Sequence, residues 1–167
     1  MARANVPSFQ VTSALRTLIT SDYNTTRSSV NNMVWKDYPR KAVDAKTKYP
    51  RITVMDVTQT GVPVSVGNNS VQENAYTVQL DVWVWDKPGD SQIVTVNSTT
   101  MSGTRARDTI AIDVMFLLRK NFYTNASLSG YYSYKVISNT VIPFDEDKGI
   151  LRRSIVIEFS EMDTAAA

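Results

Sequence analysis

Histidine and cysteine, the two side chains that most often perform catalysis or bind zinc in proteins, do not occur in this 167-residue sequence. Histidine is the usual general base near neutral pH, and with cysteine it is the usual zinc ligand. The composition therefore excludes Ser-His-Asp and Cys-His catalysis, disulfides and the common zinc sites. Carboxylate pairs, a lysine nucleophile or carboxylate-bound magnesium would need charged residues gathered in a cleft, and the spacing predicts no such group. We expect no enzymatic activity, no cofactor and no metal site.

The densest acidic run is Asp145-Glu146-Asp147, within the segment 143–149. Three carboxylates in a row raise the alternative of a hard-cation site. The segment lacks the alternating oxygen ligands and the glycine position of a calcium loop. Polar residues followed by glycine are typical of turns, so we predict a hairpin loop here.

Basic and aromatic residues are interleaved between positions 36 and 51. Cations neutralise phosphates and aromatic rings stack on bases, so this stretch is a candidate nucleic-acid contact. The predicted contact residues are Lys36, Arg40, Lys41, Lys46 and Lys48. The formal net charge is only +2, and a solvated loop whose lysine stems lie along apolar surface is the alternative.

The clearest element of the sequence is an alternating strand from Tyr76 to Trp85. One face is apolar, and the other carries polar residues followed by Trp83 and Trp85. Exposed tryptophans would mark a contact surface. The alternative is that a helix or the segment 21–50 covers this second face.

The elements that must position these residues follow from periodicity and turn signals. We predict a short helix from Ser8, an extended connection over 21–50 with a strand near Met33 to Trp35, and a strand from Arg51 to Thr58. A turn-rich loop over 59–72 precedes the strand from Tyr76 to Trp85, and a brief strand follows at Gln92 to Val96. A core helix over about 104–120 and strands over 132–142 and 150–159 complete the order.

This order predicts a single domain over 1–167 of the α+β class, with a mostly antiparallel four- to five-stranded sheet and two helices packed on one face. We expect the core to span about 8–160 and the tail 164–167 to be disordered. No apolar run approaches the length of a membrane span, so we expect no membrane partner.

The stretch Tyr49-Pro50-Arg51-Ile52-Thr53-Val54, the strand Tyr76 to Trp85 and the amphipathic helix after it resemble the tail terminator proteins of tailed viruses. The resemblance covers roughly residues 8–160, in length, element order and the Val-Gln-Leu-Asp-Val-Trp-Val-Trp strand. The extra residues at about 91–102 depart from the family pattern. They predict either an added contact arm or membership of a related neck component.

The resemblance implies a virion structural protein that forms a ring, usually a hexamer, which caps the tail tube and joins it to the neck. It implies partners in a second copy of this chain, in the tail tube protein and in a neck or connector protein. The protein would be assembled in the host cytoplasm and located in the virion tail, with DNA touching it only in passing through the ring. Alternatives are another head-tail connector or neck protein and, from a different class, a nucleic-acid-binding module.

A ring needs two different surfaces that meet head to tail. We predict that one contains Trp83, Trp85 and the loop 59–72 with Val64 and Val66. We predict that the other lies in the segment 21–50, with Trp35, Tyr38 and Tyr49.

Overall fold

The computed structural model describes residues 8–26, 34–35, 49–63, 71–125, 128, 130–145 and 149–164. They form two helices and eight strands: α1 (Ser8–Thr26), β1 (Val34–Trp35), β2 (Arg51–Pro63), β3 (Val71–Lys87), β4 (Asp90–Ser91), β5 (Val94–Val96), β6 (Thr99–Met101), α2 (Gly103–Asn121), β7 (Ser133–Asp145) and β8 (Ile150–Thr164).

The main sheet has the strand order β1-β2-β3-β8-β7, with β4 paired to β3. β1 pairs with β2 in parallel, and the other pairs of this sheet are antiparallel. β5 and β6 form a separate antiparallel hairpin. The predicted α+β class with a mostly antiparallel sheet and two helices is confirmed. The main sheet has six strands where four to five were predicted, because the two-residue strand β4 adds a pairing to β3.

The core lies between one face of the sheet and both helices. Alternation on β3 directs Tyr76, Val78, Leu80, Val82 and Val84 to this face, where all are buried. The register places the apolar residues of β8 opposite them. The helices contribute residues at helical spacing, as predicted: Val11, Ala14, Leu15, Leu18 and Ile19 from α1, and Ala106, Ile110, Val114, Leu117 and Leu118 from α2.

The extra residues 91–102 include the β5–β6 hairpin, which lies against α2. Its turn residues Asn97 and Ser98 both have positive φ angles, of 48° and 62°, as the tightest hairpin turns require. Val94, Val96 and Met101 are buried in the core. This insertion therefore supplies part of the core.

Several elements are longer than the sequence predicts. α1 continues through Ser21, whose hydroxyl donates to the Leu18 carbonyl at 3.1 Å, so this polar residue is accommodated within the helix. β2 and β3 extend to the pair Pro63 and Gln72, because the cross-strand ladder continues beyond the alternating segment.

The ends of the last two strands also differ from the prediction. β8 continues to Thr164, which pairs with Val71, whereas residues 165–167 of the predicted tail lie outside the described part of the chain. Asp145 of the predicted hairpin loop is the last residue of β7. Residues 146–148 lie outside the described ranges.

Candidate functional site

The sheet face that points away from the helices carries a small aromatic cluster. Tyr49, Trp85 and Ile150 are buried there, and the half-buried Trp83 packs against them. The rings of Tyr49 and Trp85 lie 5.8 Å apart, and the Lys87 ammonium lies 4.7 Å from the Trp85 ring centroid. This geometry combines an aromatic pair with a cation–π contact.

Tyr49 is held over this cluster by the segment that follows β4. The side-chain amide of Gln92 donates to the Tyr49 carbonyl, and the Gln92 backbone N–H donates to the Trp85 carbonyl at 3.0 Å. Only 4% of the Trp85 residue surface is exposed. A residue of the segment 21–50 therefore covers Trp85, in agreement with the second of the two interpretations of these tryptophans.

A buried ionic group adjoins the aromatic cluster on the same face. The register places Arg51, Trp83 and Arg152 in one cross-strand row, with Asp81 in the next. Asp81 is fully buried, and its carboxylate accepts from Arg152 Nη2 at 2.7 Å and from the Gln79 amide at 3.1 Å. The Arg152 guanidinium also stacks over the Trp83 ring at 4.6 Å. A buried carboxylate of this kind needs such partners, because its desolvation is costly.

Two further interactions tie this row to its neighbours. The Trp83 indole N–H donates to the Thr53 hydroxyl at 3.1 Å. Burial lowers the pKa of the Arg51 guanidinium, and its hydrogen bond and electrostatic interaction with Tyr49 oppose that shift. The structure describes three residues of the stretch 36–51, Tyr49, Pro50 and Arg51, and all three are buried.

The structure brings together three of the predicted interface residues: Trp83, Trp85 and Tyr49. Trp35 lies in β1, where its backbone pairs with Thr53. The other candidates lie outside the described residues: Val64, Val66 and Tyr38 of the predicted interface, and Lys36, Arg40, Lys41, Lys46 and Lys48 of the predicted nucleic-acid contact. The assignment of these residues to an interface stays a prediction.

Sequence reasoning missed a set of exposed apolar side chains on α2 and on β7, which we call together the α2–β7 surface. On α2 it contains Ile112, which is 63% exposed, and the exposed Phe116. On β7 the register places Val136 opposite Ile157 and Val141 opposite Arg153, on the helix side of the sheet, and both are exposed. Exposed apolar side chains of this size are typical of contact surfaces where they form a patch. The available signal was the spacing of Ile112 and Phe116, which puts two apolar residues on the outer side of an amphipathic helix.

The geometry of α2 explains why these residues are exposed. The helix packs over β3 and β8, and its links to β7 pass through Arg153 of β8 and through Phe122, the residue after its last turn. At one end Asp108 accepts from Arg153 Nη1 at 2.9 Å, and Arg153 Nε donates to Asn139 of β7 at 2.7 Å. At the other end the rings of Phe122 and Tyr134 lie 4.7 Å apart. Val136 and Val141, on the helix side of β7, are exposed.

Exposed cations border this surface. Arg105 lies near the start of α2, and Arg119 and Lys120 lie in its last turn. Burial raises the pKa of the Tyr134 hydroxyl, and the charge of Arg119 opposes that shift, which places Arg119 near the β7 side. The border of the α2–β7 surface carries both signs, because Asp108 lies one turn before Ile112 and Asp113 lies next to it.

We expect Asp108→Asn to destabilise the protein at neutral pH by under about 1 kcal/mol, because the side chain is 36% exposed and solvent screens the ion pairs. The hydrogen bond from Arg107 and, to a smaller extent, that from Arg153 lower the pKa of Asp108 below its ordinary value of 3.8. A carboxyl whose pKa is lower in the folded than in the unfolded protein stabilises the fold at pH values above its unfolded-state pKa. This stabilisation is lost as the pH falls through the folded-state pKa. Urea unfolding of both proteins should therefore give a difference that disappears at strongly acidic pH. A difference independent of pH would contradict this assignment.

A scan against models of known protein families gives no match, and a search of curated proteins gives none. Among the described residues, no three His, Cys, Asp or Glu side chains are grouped so that they could hold a metal ion. Neither described helix is long and apolar enough to span a membrane.

Proposed function

We propose that this protein is a virion structural protein of the tail terminator type, a subunit of a ring that caps a tail tube and joins it to the neck. The observation that carries the proposal is the α2–β7 surface. Single exposed apolar residues are ordinary, whereas a helix and an adjacent edge strand that both expose them are typical of an interaction surface. The resemblance in length and in the order of the long elements supports the same class of protein.

The sheet edge next to this surface supports the proposal. β7 pairs with β8 and with no other described strand. Its outer backbone N–H and C=O groups are therefore directed away from the sheet. An edge strand of 13 residues with exposed apolar side chains is suited to a stable contact with another chain.

The proposed partners are other copies of this chain, a tail tube protein and a neck protein, in a virion assembled in the host cytoplasm. A different head-tail connector of the neck would use the same kind of surface. Binding to purified tail tubes would favour a tail terminator, and binding to neck components alone would favour a connector. The nucleic-acid-binding alternative depends on Lys36, Arg40, Lys41, Lys46 and Lys48, which lie outside the described residues. The described end of that stretch, Tyr49 to Arg51, is buried.

The test of the proposal is the mass of the purified protein by light scattering over a range of concentrations. A closed oligomer whose mass stays constant, with a hexamer as the expectation from the resemblance, is the supporting result. A protein that remains monomeric at high concentration and also fails to bind purified tail tubes would overturn it.

The same measurement applies to a variant of the surface. We expect Ile112→Asp to abolish the oligomer and leave the fold intact, because a charge buried in an apolar contact has no partner there. The loss should exceed tenfold in association constant, about 1.4 kcal/mol or more. Ile93→Asp is the matched control, since Ile93 is also highly exposed but lies outside α2 and β7. Equal oligomer in both variants would contradict a role for Ile112.

A further inference from the structure

The outer side of α2, opposite its buried residues, carries three large apolar side chains. Ile112 is 63% exposed, Phe116 is 53% exposed, and Tyr123, just beyond the end of the helix, is 80% exposed. Their spacing puts them on one helical face, and we call them the α2 stripe. The neighbouring helix differs, because the exposed residues among those of α1 whose burial is described are all polar: Thr17, Thr20 and Ser21.

Charged residues of both signs border the α2 stripe, and their contacts show on which side they lie. Asp108 accepts from Arg153 Nη1 at 2.9 Å, and Arg153 also bonds to β7, so Asp108 is on the β7 side of the helix. Arg119 follows Asp108 by about three helical turns and lies on the same side. Asp113 accepts from Asn97 of the β5–β6 hairpin at 2.7 Å, which places it on the opposite side.

The apolar residues of the α2 stripe are complementary to one another across a two-fold axis. When two copies of α2 lie antiparallel about an axis level with Val114, Ile112 of each copy faces Phe116 of the other. The same axis brings Tyr123 opposite Arg105, which is exposed and lies about two turns before Ile112 on the same face. An arginine over a tyrosine ring is a favourable cation–π contact.

The charges on the β7 side of the stripe match in the same arrangement. An axis perpendicular to both helices keeps the β7 side of one copy on the β7 side of the other. Asp108 of one copy is therefore level with Arg119 of the other to within about 1.5 Å along the helix. The Asp108 side chain is 36% exposed, and a carboxylate accepts about four hydrogen bonds, so it can bind this second arginine. Asp113 stays at the rim, bonded to Asn97.

We propose that α2 of one copy docks antiparallel on α2 of a second copy through the α2 stripe. This inference rests on the proposed function, since it names the occupant of the α2 part of the surface that carries it. The contact is two-fold, so the same residues serve both copies. A hexamer built with it consists of pairs joined by a second contact, in place of identical head-to-tail contacts.

Cysteine cross-linking tests this pairing, because the chain has no cysteine of its own. The test mixes Arg105→Cys with Tyr123→Cys and treats the mixture with a short bismaleimide. We expect a covalent heterodimer in severalfold higher yield than from either variant alone, because identical positions lie about 27 Å apart along the paired helices. The matched control replaces Arg105→Cys with Thr17→Cys, an exposed position on α1.

The doubly substituted chain, Arg105→Cys with Tyr123→Cys, separates the two kinds of contact. A two-fold contact brings both cysteine pairs together between the same two copies, so cross-linking should stop at a dimer. A head-to-tail contact between these residues would give a ladder of multimers instead. Circular dichroism of each variant establishes that it is folded.

Charge reversal provides a further arm of the test. Arg119→Glu should lower the heterodimer yield severalfold at low ionic strength, because residue 119 then faces Asp108 of the partner copy with the same sign. In 1 M salt the effect should shrink, because the Debye length falls to about 3 Å. An unchanged yield at low ionic strength would contradict the proposed position of the axis.

Each outcome of the cross-linking bears on the proposal. Equal yields with Arg105→Cys and Thr17→Cys, or a ladder from the doubly substituted chain, would overturn the two-fold pairing. If the wild type forms a closed oligomer without this cross-link, the pairing fails and the proposed function stands. If the cross-link forms but the protein remains a dimer that does not bind purified tail tubes, the pairing stands and the proposed function fails.

Discussion

Trp85→Ala is expected to destabilise the protein by about 3–5 kcal/mol, the usual range for removing a buried large aromatic side chain. The ring packs on Tyr49 and beside Ile150 within the small cluster on the second face of the sheet. Its loss leaves a cavity that the strands cannot fill without disturbing the β3–β8 ladder. Urea unfolding measures the change as a shift of the midpoint at unchanged slope.

The matched control is Tyr123→Ala, which removes a highly exposed aromatic ring and should change stability by no more than about 0.5 kcal/mol. The two tryptophan interpretations are separated by the same experiment. If Trp85→Ala leaves stability unchanged but prevents assembly, Trp85 is an interface residue. If the variant is less stable but its folded fraction still forms the oligomer, Trp85 is a core residue of the subunit.

Asp81→Ala is expected to cost about 3–5 kcal/mol, because removal of one partner from a buried ion pair leaves the other charge uncompensated. The Arg152 side chain is 19% exposed while that of Asp81 is fully buried. Some water therefore reaches the remaining cation, and the lower half of that range is the expectation. The loss also removes the acceptor of the Gln79 amide. Chemical unfolding at neutral pH measures the effect.

Two comparisons make the Asp81 result decisive. Asp108 also accepts from an arginine of β8, but its side chain is 36% exposed, so Asp108→Ala should cost under about 1 kcal/mol. The double variant Asp81→Ala with Arg152→Met should recover part of the loss, because it removes the cation that has lost its carboxylate and keeps an apolar stem. If the double variant is no more stable than Asp81→Ala, charge burial is not the cause of the loss.

Much of the fold could be predicted from the sequence, because the signals that define it are local. The alternation from Tyr76 to Trp85 and the helical spacing of Ile110, Val114 and Leu117 each follow from the geometry of a single element. The faces assigned to the core are the faces that the structure buries. Element ends were less predictable. Pairing with a neighbouring strand extends β2 and β8 through residues whose own preferences are weak.

The sequence by itself determined the α+β class, the core faces and the absence of histidine and cysteine chemistry. Only the tertiary structure decided which surfaces are open. Trp85 occupies the polar face of its strand, and it is buried because Tyr49, 36 positions earlier, returns to cover it. Ile112 is exposed because it lies on the side of α2 opposite the buried residues, and Val136 is exposed while α2 packs over β3 and β8. Exposure depends on contacts between residues distant in sequence, and these contacts cannot be inferred from the periodicity of a single element.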